Sequence, residues 1–360
     1  MADSWRIHHE AANCLLALEE IRLQAASRLK TLHERSHDMA YAVRVHAYGG
    51  PEVLTYEDVE VGEPGPGEVL IKQHAVGVNF IDIYQRDGLY KLPSLPAILG
   101  SEGAGEVIAV GPQVEGLKVG DRAAYGSVPG AYAEVRRVPA DKLVKLPDGI
   151  SYDTAAAMML QGMTARYLLR ETYKVGPETV ILLHAAAGGV GLIACQWACA
   201  LGATIIGTVS TDEKAELAKS YGCTHTINTK REDFAARVKE LTNGAGCDVV
   251  YDSVGKDTFP KSLDCLKPKG LWVSFGNSSG PVPPFELTAL KGSLFATRPS
   301  LFAYTAKRED LEQNAAELFA MVLAGKIKIA VNHRYALSAA ADAHRDLAAR
   351  RTTGSIILVP

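Results

Sequence analysis

Residues 180–201 constrain this chain more than any other stretch. An apolar run, Val180-Ile181-Leu182-Leu183-His184, enters the turn Ala185-Ala186-Ala187-Gly188-Gly189-Val190-Gly191, and an apolar helical pattern continues to Leu201. A strand that enters a glycine turn and leaves it as a helix is the setting in which such glycines hold a dinucleotide. Gly188 permits the backbone to approach a pyrophosphate, and Gly191 permits the helix to pack closely on the sheet. The helix N-terminus adds unpaired N–H groups and partial positive charge. Ala186 stands where the pattern usually has its first glycine, so the turn is a variant, and a purely structural glycine turn is the competing reading.

The flanking sequence extends this unit. Apolar strand-like runs at 180–183, 204–209, 248–251 and 271–275 are separated by helical stretches, after a helical pattern over 152–172. Strand–helix alternation with continuous apolar strands predicts a parallel sheet covered on both faces. From residue 41 to about 147 the pattern is instead β-rich, with runs at 41–47, 69–78, 106–110 and 132–138. Turns at Gly49-Gly50-Pro51, Pro64-Gly65-Pro66-Gly67 and Pro147-Asp148-Gly149 break these runs, as in a partly closed antiparallel barrel. A helix near 310–323 and a strand at 355–359 are expected to return to that barrel. With 360 residues the chain is too long for one core. The expected division is a substrate-binding domain over 39–160 and 299–360, and a dinucleotide-binding domain over 161–298. Residues 1–38 are a separate extension, in which Leu18, Ile21, Ala25, Leu29 and Leu32 recur at helical spacing. It reads as an appended helix or a start codon placed too far upstream, in preference to an oligomerisation helix, because Met39-Ala40 opens a strand-like run directly.

Composition enters chiefly as exclusion. Hydrophobic residues are 47% and charged residues 22%, with a net charge of −3 and no long basic run. Phosphate backbones are bound by clustered Lys and Arg, so nucleic acid is not an expected partner. No window approaches the ~20 apolar residues that span a bilayer, and the first residues carry no secretory signal pattern. Cys14, Cys195, Cys199, Cys223, Cys247 and Cys265 are not spaced as a disulfide framework, which points to a reducing cytoplasm. Cys195 and Cys199 stand one helical turn apart. With no His or second Cys pair nearby, they read as buried small hydrophobes rather than a metal or redox pair.

The strand after the glycine turn selects the dinucleotide. An NAD site usually places Asp or Glu at its end, on the ribose 2′-hydroxyl. Here Thr208-Val209-Ser210-Thr211 occupies that place and Lys214 follows, which suits a 2′-phosphate and hence NADPH. Asp212 and Glu213 are expected in the first turn of the next helix, where acids are favoured. Between Met39 and Ala194 there is no cysteine, and His46, His74 and His184 have no partner at ligand spacing. A catalytic zinc needs about three such ligands, so no metal is expected. Without a Lewis acid, a quinone or activated alkene is a better acceptor than a simple ketone.

From about Ala40 to Pro360 the sequence resembles the zeta-crystallin-like quinone oxidoreductases of the medium-chain dehydrogenase/reductase superfamily. The matching stretches are Gly49-Gly-Pro-Glu-Val-Leu54, Val78-Asn-Phe-Ile-Asp82, His184 to Trp197, Val250-Tyr-Asp-Ser-Val-Gly255, Val273-Ser-Phe-Gly-Asn-Ser-Ser279 and Thr297-Arg-Pro-Ser300. The resemblance implies a GroES-like partly open β-barrel domain plus a Rossmann doubly wound sheet, with the site between them, a homodimer, and NADPH-dependent reduction of a small-molecule quinone. It implies that Gly188, Gly189 and Val190 lie along the pyrophosphate, with Ser210 and Lys214 at the 2′-phosphate. Asn79, Tyr84 and Thr164 then face the nicotinamide, Asn79 and Tyr84 as orienting groups rather than acid or base. Ser253, Phe275, Asn277 and Arg298 line the cleft, and Arg350 reaches the adenosine side. Thr229 departs from the family, which often has Tyr after this Ile-Asn pair. Ser101 stands where zinc-dependent relatives carry a ligand histidine. The alternatives are an NADPH-dependent enone or alkenal reductase and a non-catalytic NADPH-binding protein, crystallin-like or RNA-associated.

Overall fold

The computed structural model describes residues 39–360, so the extension expected over residues 1–38 lies outside the described residues. Strands β1 (Met39–Val45) and β2 (Leu54–Glu60) pair antiparallel. β3 (Glu68–Val78) runs mostly buried to Asn79, which begins helix α1 (Phe80–Arg86). β4 (Ala97–Ile98) adds to the free side of β1. β5 (Glu102–Val110) pairs with β3 and with β6 (Arg122–Gly126), β7 (Val135–Pro139) pairs with β3, and β8 (Val144–Lys145) pairs with β6, all antiparallel. Val69, Ile71, Val107, Tyr125, Val138 and Leu143 close the interior of this barrel-like half and are fully buried.

The helix expected over 152–172 is not continuous. It divides into α2 (Tyr152–Ala156) and α3 (Met159–Tyr167), followed by a π-helical turn at Leu168–Thr172. The physical reason is a capping group from elsewhere in the chain. A Glu102 carboxylate oxygen accepts the Leu160 backbone N–H at 2.7 Å, satisfying a first-turn donor that a continuous helix would have bonded itself.

The second half follows the expected alternation. It comprises β9 (Val180–Leu183), α4 (Gly189–Ala200), β10 (Thr204–Val209), α5 (Asp212–Ser220), β11 (His225–Asn228), α6 (Phe234–Leu241), β12 (Cys247–Asp252), α7 (Lys261–Asp264), β13 (Leu266–Ser274) and β14 (Phe295–Thr297). The six strands form one parallel sheet in the order β11-β10-β9-β12-β13-β14. The order reverses between β9 and β12, which opens the crevice at their C-terminal ends where doubly wound sheets bind ligands.

The chain then forms α8 (Leu301–Tyr304), α9 (Arg308–Leu323), β15 (Val331–Ala336), α10 (Ala340–Ala348) and β16 (Ser355–Val359). β16 pairs antiparallel with β3, tying the C-terminus to the barrel, but parallel with β15. The barrel sheet is thus mixed at this edge, because a crossover through α10 brings β16 back in the same direction. α9 packs on α3 so closely that a Cβ on Gly162 would lie 2.7 Å from Leu318 Cδ1. No helix among the described residues is long and apolar enough to cross a membrane.

Candidate active site

A cleft of about 900 Å³ runs from the glycine turn to α1. All the expected site residues line it except Asn277, which faces a smaller hollow behind Tyr84. β9 delivers the chain into the turn, where Ala185 takes a left-handed backbone (φ 56) and Gly188 N–H bonds back to Ala185 O at 2.9 Å. A side chain on Gly191 would sit 2.6 Å from Ala186 O and still closer to Ala185 O, so the α4 backbone approaches the turn only because this residue is glycine. A side chain on Gly188 would meet nothing nearer than 3.2 Å, so its face is open for a ligand. The open face and the start of α4 together suit an anion.

His184 holds the base of this turn. Its Nδ1 lies 3.0 Å from Thr208 Oγ1 and its Nε2 3.0 Å from Ser262 Oγ, which in turn donates to Asp252 Oδ2 at 3.1 Å. Burial pushes its pKa down, so the imidazole is a neutral tether between β9, β10 and β12.

The far end of the cleft is cationic. Lys214 Nζ donates to Arg350 O at 2.8 Å, and its pKa is lowered by burial and then by the nearby Arg350 and Lys230 charges. Three cations held this close repel one another, and an anion among them relieves the repulsion. Ser210 and Thr229 line the same end, although Thr229 Oγ1 is turned to Val209 O at 3.2 Å. Asp212 and Glu213 begin α5, behind the Thr211 cap. Asp212 bonds Arg231 and accepts from Asn228 Nδ2 at 2.9 Å, so its charge is compensated.

At the opposite end the two halves touch through tyrosines. Tyr84 Oη accepts the Asn277 backbone N–H at 2.9 Å, and burial pushes its pKa up, so the phenol remains protonated. Tyr90, absent from the sequence expectations, packs edge-on against Tyr84 with ring centroids 5.3 Å apart. Its hydroxyl accepts from Arg298 Nη2 at 2.7 Å, while Arg298 Nη1 donates to Ser274 O at 2.9 Å. The Asn277 amide fits with its oxygen on Tyr90 Oη (2.8 Å) and its nitrogen on Gly276 O (2.9 Å). Ser253 lies where β12 ends beside β13, so close that a Cβ on Gly276 would fall 2.9 Å from Ser253 Cα. Thr164 and Phe275 complete this end.

The Asn79 side chain is directed into the protein. Its Nδ2 donates to Glu102 Oε2 at 2.7 Å and its Oδ1 accepts from Gln161 Nε2 at 3.0 Å. Its backbone N–H donates to Asp82 Oδ2 at 2.8 Å. Burial is the largest cause that raises both carboxyls, Asp82 to about 7 and Glu102 to about 8. Behind Asp82, Tyr132 Oη donates to Oδ2 at 2.9 Å and lies 2.9 Å from His344 Nε2. Arg86 Nη1 faces His344 Nδ1 at 3.2 Å, so Nδ1 is the acceptor and Nε2 carries the proton. Glu102, Gln161 and Asp82 escaped the sequence reading; the only signal was a polar residue inside an apolar run, as Gln161 is in Met158-Met-Leu-Gln-Gly-Met163.

Among the described residues no group of three or more His, Cys, Asp or Glu side chains is placed to hold a metal ion. Ser101, at the position of the zinc relatives' histidine, is fully buried. Cys195 is buried as expected, but Cys199 is exposed, because α4 emerges from the core over its last turn.

Two family models match: "Alcohol dehydrogenase GroES-like domain" over residues 65–148 and "Zinc-binding dehydrogenase" over residues 189–320. A quinone oxidoreductase of Pseudomonas aeruginosa is 57% identical over 325 residues, covering 89% of this chain and 100% of its own. A 2-haloacrylate reductase of a Burkholderia species is 46% identical over 331 residues, covering 89% and 99%. The crystal structure of Escherichia coli quinone oxidoreductase complexed with NADPH has a TM-score of 0.88 at 49% identity, over 89% of this chain and 100% of that one.

Proposed function

The chain belongs to the quinone oxidoreductases of the medium-chain dehydrogenase/reductase superfamily, and from that membership we propose that it reduces a small quinone with NADPH. When bound, the cofactor supplies a hydride, and with one proton from solvent the products are the hydroquinone and NADP⁺. The observation that carries the reading is the cleft itself, cationic at one end and aromatic at the other, with the open glycine turn between. Lys214, Arg350 and Ser210 bind the 2′-phosphate, and Gly188, Gly189 and Val190 receive the pyrophosphate. Tyr84, Thr164, Phe275 and Asn79 shape the nicotinamide end, while Ser253, Asn277 and Arg298 join it to the parallel sheet. Hydroquinone oxygens are weakly basic, so these residues align donor and acceptor and need not transfer protons.

The test is a steady-state panel with 1,4-benzoquinone and a 2-haloacrylate as acceptors, NADPH and NADH as donors, and a chelator added. Benzoquinone turnover that prefers NADPH and survives chelation is expected. Binding without turnover, or a preference for NADH, overturns the reading. The likeness to the 2-haloacrylate reductase favours activated alkenes as a second acceptor class, and faster turnover of the haloacrylate would put that class first.

We further propose that residues 39–160 with 299–360 form the substrate-binding domain and 161–298 the cofactor domain, supported by the pairing of β16 with β3. A homodimer in the cytoplasm completes the reading. Among the described residues β14 ends the parallel sheet with one edge unpaired, and Phe295 on it and Leu287, eight positions earlier in the chain, are 61% and 81% exposed. Two such edges pair across a dyad and cover those side chains. Sedimentation of the intact protein as a monomer would exclude the dimer.

A further inference from the structure

Glu102, Asn79, Gln161 and Ser355 form one buried hydrogen-bonded chain that reaches the cleft at Asn79 and Gln161. Asn79 Nδ2 donates to Glu102 Oε2, Gln161 Nε2 donates to Asn79 Oδ1, and Ser355 Oγ donates to Gln161 Oε1 at 2.7 Å. Ser355 Oγ also lies 2.9 Å from Ala157 O. A hydroxyl has one proton, so it serves one of these acceptors at a time. The choice propagates. If Glu102 carries a proton on Oε2, that proton goes to Asn79 Oδ1 after the amide rotates end for end. Asn79 Nδ2 then donates to Gln161 Oε1, likewise rotated. Gln161 Nε2 donates to Ser355 Oγ, and Ser355 turns its proton to Ala157 O. Glu102 Oε1 keeps the Leu160 N–H throughout. Every member is satisfied in both arrangements, and no backbone atom needs to move.

We propose that this chain is a two-state switch in which the proton on Glu102 sets the polarity that Gln161 presents to the NADPH site. Gln161 abuts the first residue of α4, since a side chain on Gly189 would strike its amide, Oε1 more closely than Nε2 (2.8 Å). With Glu102 ionised, an amide oxygen therefore faces the turn that receives the pyrophosphate. With Glu102 protonated, an N–H donor takes its place. The protonated state binds NADPH more tightly.

Glu102 is poised for this, because burial raises its pKa to about 8. Its other titratable neighbours act differently. Asp82, on α1, rises to about 7 but bonds the Asn79 backbone, not its side chain. Tyr125 on β6 and Tyr132 are pushed up by burial and stay neutral, with Arg136 beside Tyr125 and Arg86 beside His344. From α3, only the Met159 and Leu160 backbone faces Glu102.

Two measurements on the full chain test this. The first is independent of the cofactor assignment. Infrared spectra of protein labelled with ¹³C in its glutamate carboxyls are recorded from pH 7 to 9.5. A protonated-carboxyl band that carries the glutamate isotope shift and disappears as pH rises through about 8 is expected. A band that shifts only with aspartate label, or none, overturns the proposal. The second rests on the NADPH reading. Fluorescence titration of the wild type should show NADPH binding about fivefold weaker at the top of that range than at the bottom, the effect of one hydrogen bond. Glu102→Gln donates permanently to Asn79, so it should hold the tight value at every pH. A variant that weakens like the wild type, or is weak throughout, overturns it. Loss of NADPH binding in both proteins with the glutamate band intact would sink the cofactor reading instead.

Discussion

Lys214 is held in place by a single bond to Arg350 O, and Arg350 itself takes a left-handed backbone (φ 59). That arrangement makes Lys214 a clasp between α5 and the residues before β16, and on the proposed cofactor reading it is also a phosphate ligand. A charge-assisted contact to a 2′-phosphate contributes about 1.5–3 kcal/mol. Lys214→Ala should therefore raise the KM for NADPH roughly ten- to a hundredfold, with kcat nearly unchanged. NADH kinetics should scarcely move, because loss of the clasp alone leaves the rest of the cleft intact; equal weakening of both cofactors would show the clasp to be the larger role. The position of Lys214 and Ser210 on the cleft was legible because they stand at a fixed offset from a glycine turn. Glu102, Gln161 and Tyr90 were not, because nothing local distinguishes them. Their roles come from burial and from hydrogen-bond partners 23 to 208 positions away in the chain, which only the fold brings together.

At the scale of elements, the glycine turn separates two physical demands that the sequence pattern presents as one. Gly191 is required by packing, since a Cβ there would meet carbonyl oxygens of the turn, whereas a Cβ on Gly188 would meet only Ala185 O, at 3.2 Å, which a small shift accommodates. Gly191→Ala should thus lower Tm by several degrees, because backbone must shift to admit the methyl group. Gly188→Ala should change Tm much less yet weaken NADPH binding about tenfold or more, by filling the face proposed for the pyrophosphate. A fall in Tm for Gly188→Ala matching that of Gly191→Ala would show the turn to be structural at both positions. The same contrast explains which elements were readable. β9, β10 and β12 are nearly continuous apolar runs because both faces are covered. β2 and β15, half exposed along their length, and the two- or three-residue strands β4, β8 and β14 carry too little pattern to announce themselves. The break between α2 and α3 was unreadable for a different reason: its cap is Glu102, on β5.

At the scale of the whole molecule, the barrel half holds a set of buried ionisable groups, and their titration sets how stability responds to pH. Asp82 and Glu102 have folded pKa values of about 7 and about 8, against ordinary values of 3.8 and 4.5. A raised carboxyl pKa means that the native state binds a proton the unfolded chain has released. Its stabilisation is complete below the ordinary value and is lost as pH rises through the folded one. His344 works in the opposite sense. Burial, then the Arg86 charge, holds its pKa at about 3 against 6.5, so below 6.5 the unfolded chain binds the extra proton and stability drops on acidification. The two trends oppose each other between about 4.5 and 6.5. Above 6.5 the histidine contribution fades over about one pH unit, and the carboxyls dominate until about 8. Each carboxyl contributes at most roughly 1.4 kcal/mol per pH unit inside its window. The urea midpoint should accordingly fall between pH 6.5 and 8, by about 2–3 kcal/mol in unfolding free energy. Asp82 is half ionised at about 7 and Glu102 only at about 8, so most of that fall belongs to Glu102. Glu102→Gln should leave less than half of it, with the remainder centred near pH 7. A midpoint that rises over this interval, or a variant whose fall matches the wild type, would mean that Glu102 is ionised in the native protein at neutral pH.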